Sequence, residues 1–292
     1  MKLHLTAALA ATCAVSVAAT ALVADYRRGR LMPSEFVELP SLESALLGER
    51  RNLIVRLPDS YHREPARRYP VVYVLDGSSL DVPAAQSAAV MARIGVMPEV
   101  IVVGIPNVSG EGRQRDYTPP YMAQDAEVAD SPRGAADRFL AFLEQELIPF
   151  VEGRYRTTGL RALAGHSRGG LFVCYSLIEK PHLFQARVAH SPALWRDGEA
   201  IVGRLASFLK QAPALDGVLY LSLGSEENAK MTAAFRSAEA VLRVHAEAAG
   251  LRWQADVVSG ANHQTNATLA MPLGLEAAFA AATAVRSGTP GS

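Results

Sequence analysis

The chain has 292 residues, of which 49% are hydrophobic, so it can bury the core of one large domain or two small ones. Its 29 basic and 29 acidic residues balance to a formal charge of +0 and are mixed along the chain. This balance gives no reason to expect nucleic acid or an anionic membrane surface as a partner.

The first 24 residues have the composition of an export signal. Lys2 precedes a run rich in alanine, valine and leucine that reaches Ala24, and residues 19–21 (Ala-Thr-Ala) resemble a cleavage site. Residues 1–24 are therefore predicted to be a secretory signal peptide. Because arginines follow the run, retention as an N-terminal anchor is the alternative. We expect a periplasmic or secreted protein, which a retained leader would anchor in the inner membrane.

Residues 34–286 are predicted to form a single domain in which strands alternate with helices, and residues 287–292 a disordered tail. The predicted strands are 36–39, 51–58, 69–77, 99–105, 160–164, 184–190, 217–224 and 251–258. The predicted helices include 84–94, 135–151, 232–249 and 272–285.

The strand patterns predict an α/β fold with a mostly parallel central sheet and helices on both faces. Residues 69–77 and 99–105 are continuous apolar runs, which is typical of strands buried on both faces. Residues 36–39 and 51–58 are expected to be edge strands, the second ending at Pro58, and residues 107–120 a polar loop. In such sheets, chemistry is concentrated where the strands end.

A short motif at one strand end predicts a nucleophile. Gly165-His166-Ser167-Arg168-Gly169 fits G-x-S-x-G and lies between an apolar run and a helical segment. The serine of such an elbow sits on a strained turn, and small neighbours are needed for the close approach of strand and helix. The alternative is a glycine-rich turn with a buried or capping serine.

Position along the chain selects a base and an acid for Ser167. His263 follows the last strand, where a hydrolase of this topology carries its base, and His190 is the alternative. Gly224-Ser225-Glu226-Glu227 follows the preceding strand, and this spacing favours Glu227 over Glu226 as the acid. Serine, acid and histidine then occur in the expected order.

Two backbone N–H groups are expected to form an oxyanion hole. Arg168 follows the nucleophile and would supply one, and Gly77 or Ser78, after the first buried strand, would supply the other. No spacing typical of metal ligands competes with this assignment, and the chemistry needs no cofactor.

Several separated motifs resemble the esterase family of α/β hydrolases, which includes esterase D-like enzymes, feruloyl esterases and the ferric-enterobactin and salmochelin trilactone esterases. The resemblance runs from about Leu53 to the last helix and looks strongest to the periplasmic siderophore-esterase subgroup. The motifs are YPVVYVLDG (69–77), VVGIPN (102–107), RQRDYTP (113–119), RYRT (154–157), AGHSRGGLF (164–172), SPALW (191–195) and NH (262–263).

The resemblance implies an α/β-hydrolase fold with antiparallel N-terminal edge strands, and it implies residues that contact substrate. Arg115 and Asp116 would lie close to the site, either positioning substrate or supporting a loop by ion pairs. Trp195 would line an acyl pocket or cap the core. Arg168 and Arg196 depart from the residues that relatives often carry, which leaves the choice of substrate open.

The sequence therefore predicts a serine carboxylic-ester hydrolase that acts on a small-molecule ester through an acyl-enzyme. A siderophore trilactone is the most specific substrate that the resemblance implies. An acyltransferase with the same triad and a non-catalytic binding protein of the hydrolase fold are the alternatives. The oligomeric state is not predicted.

Overall fold

The computed structural model describes residues 36–123, 132–212 and 214–287. The predicted leader (1–24) and residues 288–292 of the predicted tail lie outside the described residues. Within the described ranges, no helix combines the length and the apolar character needed to cross a membrane.

Strands and helices alternate along the described chain. The strands are β1 (Phe36–Glu38), β2 (Ser41–Ser44), β3 (Glu49–Asn52), β4 (Ile54–Leu57), β5 (Tyr69–Leu75), β6 (Ile101–Ile105), β7 (Thr157–His166), β8 (Ala186–His190), β9 (Gly217–Gly224) and β10 (Leu251–Val258). The helices are α1 (Gly77–Arg93), α2 (Gly110–Tyr117), α3 (Ala136–Phe142), a π-helical segment (Leu143–Leu147), α4 (Ile148–Arg154), α5 (Arg168–Glu179), α6 (Arg196–Gln211), α7 (Ala229–His245) and α8 (Asn266–Ser287).

The central sheet has eight strands in the order β1-β4-β6-β5-β7-β8-β9-β10. The β1–β4 and β4–β6 pairs are antiparallel, and all the other neighbouring pairs are parallel. The mostly parallel sheet with antiparallel strands at its N-terminal edge is confirmed. A separate hairpin is formed by β2 and β3.

Two hydrophobic clusters cover the two faces of the sheet. Along β5, Val72 and Val74 belong to the cluster that includes residues of α1 and α8, whereas Tyr73 and Leu75 belong to the cluster that includes residues of the helices from α3 to α7. All seven residues of β5 are buried, because helices cover both faces. This sandwich fixes the positions of the strand ends.

The structure corrects the interpretation of residues 51–58. The segment divides at Leu53 into β3, which pairs with β2, and β4, which lies between β1 and β6 and so is not an edge strand. The side-chain alternation continues through the break, so it gave no sign of the change of partner.

Several helices also differ from the prediction, including α7, which ends at residue 245 rather than 249, and α8, which begins at residue 266 rather than 272. The expected loop 107–120 contains α2, which begins where the Ser109 hydroxyl accepts a hydrogen bond from Gly112 N (2.9 Å). This helix has no apolar stripe that would reveal it. Helix α1 begins at Gly77 rather than at residue 84, because the Asp76 carbonyl accepts from Ser79 N and starts the first turn.

Candidate active site

The carboxyl ends of the parallel strands bring the predicted site residues to one edge of the sheet. Ser167 follows β7, Glu227 follows β9 by a short turn, and His263 follows β10. Residues from three segments, separated by up to 96 positions, thus meet at this edge.

The turn at Ser167 has the backbone of a nucleophile elbow. Ser167 has φ 58° and ψ −115°, a conformation in which a side chain is strained. A Cβ added to Gly165 would come within 2.6 Å of the Gly169 backbone, and one added to Gly170 would lie 2.9 Å from the Pro192 Cα. The glycines are therefore required by the close packing of β7, α5 and the loop after β8.

Ser167, His263 and Glu227 form a continuous hydrogen-bonded chain. His263 Nε2 lies 3.0 Å from Ser167 Oγ, and His263 Nδ1 lies 2.9 Å from Glu227 Oε2. An ionised carboxylate can only accept, so the Nδ1 atom carries the proton and Nε2 is left to accept from the serine hydroxyl. The Glu227 side chain is fully buried, whereas a third of the His263 side chain is exposed.

The environment keeps Glu227 ionised. Burial opposes its ionisation, but hydrogen bonds from His263, Ser191 Oγ and Gly224 N outweigh that cost and hold its pKa below the usual range. The neighbouring Glu226 is exposed, and its N–H donates to the Ala261 carbonyl. Of the two candidate acids, the structure brings only Glu227 to the imidazole.

The loop that carries His263 is fixed on two sides. Asn262 Oδ1 accepts from Gln264 N (3.0 Å) and Thr265 N (3.1 Å), which closes an Asx turn around the histidine. His166 Nε2 donates to the His263 carbonyl oxygen (2.8 Å). Burial and the proximity of His263 lower the His166 pKa to about 4, so His166 is neutral at physiological pH.

The candidate oxyanion donors lie at two helix starts on neighbouring strands. Arg168 is the first residue of α5, and Gly77 and Ser78 are the first residues of α1, which follows β5. The first N–H groups of a helix have no acceptor within the helix, so they are available to an anion. A Cβ on Gly77 would lie 2.3 Å from Ile105 N, which explains the glycine. Their part in binding an oxyanion stays a prediction.

Arg113, which the sequence motifs alone do not single out, joins these two turns. Its guanidinium donates two hydrogen bonds to the Asp76 carboxylate (2.6 and 2.9 Å) and one to the His166 carbonyl (3.2 Å). Asp76 has φ 55° and immediately precedes Gly77. Arg113 belongs to the motif at 113–119, but only the fold shows which carboxylate it meets.

Arg115 lies in an ion-pair network with carboxylates. Its guanidinium contacts Asp116 Oδ1 and Glu49 Oε1, each at 2.7 Å, and the buried Arg51 also pairs with both carboxylates. These ion pairs fit the second of the two roles expected from the sequence for Arg115 and Asp116, which were substrate positioning and support of a loop. The geometry assigns Arg115 no contact with Ser167, His263 or Glu227 among the described residues.

The remaining candidates have varied surroundings. Trp195 is half-buried at the start of α6, with the Arg196 guanidinium 5.5 Å and the Lys230 amine 5.7 Å from its ring. Arg168 donates to Thr118 Oγ1 at 2.7 Å. His190, the alternative base, is fully buried, with its Nδ1 atom 2.8 Å from Ser222 Oγ rather than near the Ser167 hydroxyl.

The described ranges contain no group of three or more His, Cys, Asp or Glu side chains able to hold a metal ion.

The sheet order and the serine elbow define an α/β-hydrolase fold. The chain belongs to the family described as "Putative esterase", whose model matches residues 44–271. The solved structure of an IroE-like serine hydrolase from Shewanella oneidensis matches with a TM-score of 0.71 and 27% identity, over 82% of this chain and 79% of that one.

Two curated relatives are similar over shorter stretches. The siderophore enterobactin esterase of Emericella nidulans is 33% identical over 176 residues, which are 53% of this chain and 57% of that protein. The ferri-bacillibactin esterase BesA of Bacillus subtilis is 35% identical over 144 residues, 44% of this chain and 50% of that protein. The chain thus spans about half the length of these relatives.

Proposed function

We propose that the protein is a serine carboxylic-ester hydrolase with Ser167 as nucleophile, His263 as base and Glu227 as acid. The observation that carries the proposal is the hydrogen-bonded chain from Ser167 Oγ through both nitrogens of His263 to Glu227. A serine hydroxyl is a weak nucleophile unless an imidazole takes its proton and a carboxylate holds that imidazole in the required tautomer.

The reaction begins when His263 Nε2 takes the hydroxyl proton and Ser167 Oγ attacks the ester carbonyl. The negative charge that develops on the carbonyl oxygen is held by the N–H of Arg168 and by that of Gly77 or Ser78. The tetrahedral intermediate then collapses, the C–O bond to the alcohol breaks, and His263 protonates the leaving oxygen. An acyl-enzyme on Ser167 remains.

Water completes the cycle by the same steps. His263 takes a proton from water, the resulting hydroxide attacks the acyl carbon, and the Ser167–acyl bond breaks with return of the proton to Ser167. Glu227 stays ionised throughout, because its hydrogen bonds hold its pKa low. Within the protein, His263 is the group that accepts and returns the proton in both halves of the cycle.

A siderophore ester is the most specific substrate class that we propose. Support comes from the names of the relatives in Emericella nidulans and Bacillus subtilis, which are siderophore esterases. We further propose that residues 1–24 direct export, which would place the enzyme in the periplasm or outside the cell.

The test compares wild type with Ser167→Ala on a simple aryl ester and on iron-free and ferric trilactone siderophores. Wild type should release acid from at least one trilactone, identified by the mass of the linear product, and Ser167→Ala should release none. Adding an alcohol acceptor separates hydrolysis from acyl transfer, since a transferase would yield the new ester. Binding of a trilactone without cleavage by folded wild type would contradict the proposal.

A further inference from the structure

A group of buried polar side chains continues from the second carboxylate oxygen of Glu227. Ser191 Oγ donates a short hydrogen bond to Glu227 Oε1. Asn266 Nδ2 donates to Ser191 Oγ (2.8 Å) and to Ser222 Oγ (3.0 Å), and Ser222 Oγ lies 2.8 Å from His190 Nδ1. Ser191, Asn266, Ser222 and His190 are all fully buried.

The direction of the hydrogen bonds is set by the carboxylate. Ionised Glu227 can only accept, so the Ser191 hydroxyl must donate to it, and the oxygen of that hydroxyl accepts from Asn266. The second N–H of the Asn266 amide is satisfied by Ser222. If the amide faced the other way, Ser191 would donate to the amide oxygen and Glu227 Oε1 would lose this donor.

The group has features that lower stability. Asn266 Oδ1 and His190 Nε2 are buried and find no hydrogen-bond partner in the part of the chain that the structure describes. Ser191 has φ 43°, a strained conformation for a residue with a Cβ. A group of this kind is better explained by a role at the site than by a contribution to folding.

We propose that Ser191 and Asn266 are positioning residues that hold the Glu227 carboxylate in the orientation in which Oε2 meets His263. The inference rests on the proposed function, because that function makes Glu227 the acid. Without the Ser191 hydroxyl, the described residues leave Glu227 Oε1 one long hydrogen bond, from Gly224 N at 3.3 Å. The carboxylate could then rotate away from the imidazole.

Few charged and titratable groups of the described residues surround the hydrogen-bonded series from Ser167 to His190. The rings of His166 and His263 lie with their centroids 4.6 Å apart and their planes tilted by 43°, and His166 is also influenced by the charges of Asp76 and Arg113, which pair with each other. At the buried end, His190 stays neutral because burial lowers its pKa to about 3. Glu227 is the carboxylate that is hydrogen-bonded to the imidazole of His263.

The test compares Ser191→Ala with Ser176→Ala, which removes an equally buried serine hydroxyl from α5. Ser176 is hydrogen-bonded to the Val173 carbonyl and to Arg187 and has no contact with Glu227 among the described hydrogen bonds. Both variants should unfold at a lower temperature than wild type. Only Ser191→Ala should lower kcat, by about 10- to 100-fold as for other outer hydrogen bonds to active-site ligands, with little change in KM.

A second readout does not depend on turnover. The Nδ1 proton of His263 is followed by NMR in the folded protein. In Ser191→Ala the downfield Nδ1 resonance should shift upfield or broaden, because the Nδ1 proton loses part of its contact with the carboxylate. Asn266→Ala should do the same to a smaller extent, and Ser176→Ala should match wild type.

Two results would overturn the inference: an unchanged resonance in folded Ser191→Ala, or an unchanged kcat in that variant. A wild-type protein that cleaves no ester but shows the predicted NMR changes would refute the proposed function and leave the positioning role standing.

Discussion

Strands β7 and β8 each end at a histidine that is followed by a serine, His166-Ser167 and His190-Ser191, and the two histidines are paired in register. Both serines have positive φ values, 58° and 43°. Ser167 is half-buried and its hydroxyl meets the imidazole of His263, whereas Ser191 is fully buried and its hydroxyl meets Glu227. The two serine turns thus contact opposite ends of the same hydrogen-bonded series of side chains.

The two turns differ in the residues that follow the serine. Gly169 and Gly170 allow α5 to begin directly after Ser167, with the hydroxyl on an accessible edge. Pro192 is next to Ser191, and the chain then packs over the elbow, where Ala193 N donates to the Ser167 carbonyl. Two serines with positive φ values after a histidine therefore take different roles according to burial and partner.

The largest expected effect separates the two serines by activity. Ser167→Ala should lower kcat by about 10⁶-fold, because loss of the nucleophile in a comparable triad has an effect of that size. Ser191→Ala should lower kcat far less, by about 10- to 100-fold. Steady-state kinetics on a simple aryl ester measures both, and equal losses in the two folded variants would contradict the assignment of the nucleophile.

The second prediction concerns the adjacent carboxylates after β9. Glu227→Gln keeps the shape but can leave the imidazole in the wrong tautomer, so kcat should fall by about 10⁴-fold. Glu226 is exposed, and Glu226→Gln should stay within about twofold of wild type, as for surface substitutions. A larger loss in the Glu226 variant would reverse the assignment of the acid.

The third prediction tests the packing of the elbow through stability. Gly165→Ala should lower the free energy of unfolding by about 1–3 kcal/mol, because its Cβ would clash with the Gly169 backbone. Gly153, in helix α4, has open space where a Cβ would lie, so Gly153→Ala should raise stability by about 0.4–1 kcal/mol. Chemical denaturation measures both, and equal changes would argue against a tight elbow.

The fourth prediction uses the paired histidines. Burial lowers the pKa of His166 to about 4 and that of His190 to about 3, so the unfolded chain takes up protons first as the pH falls. Stability should therefore decrease below about pH 6.5, each histidine contributing a slope of about 1.4 kcal/mol per pH unit until its folded pKa is reached.

His190→Gln should remove one of these contributions and flatten the fall in stability between about pH 6.5 and pH 4. The control is His182→Gln, at an exposed position, which should leave the slope unchanged. Denaturation midpoints measured across this range give the slope directly. A His190→Gln protein with the wild-type slope would show that His190 is not held neutral by burial.

The sequence was informative where one residue and its place in the chain were sufficient. The elbow motif led to Ser167, and the order of strands led to Glu227 and His263, because parallel strands end at a common edge. Helix α2 was missed since its residues carry no apolar stripe, and the start of α1 was missed because Gly77-Ser78 resembles a turn.

The supporting contacts could not be predicted, because they join side chains from separate strand ends. Arg113 belongs to the motif at residues 113–119, but its contact with Asp76 depends on how α2 folds over the elbow. Asn266 and Ser191 are 75 positions apart, and no local pattern relates them. The repeated His-Ser dipeptide was visible in the sequence, but the different roles of its two copies depend on burial.

The most direct test is intact-mass analysis after reaction with a fluorophosphonate, a probe that requires an activated serine. We predict one adduct, mapped to Ser167, in wild type and more slowly in Ser191→Ala, with no adduct in Ser167→Ala. An adduct mapped to Ser191, or no adduct on folded wild-type protein, would contradict the claim that His263 and Glu227 activate Ser167.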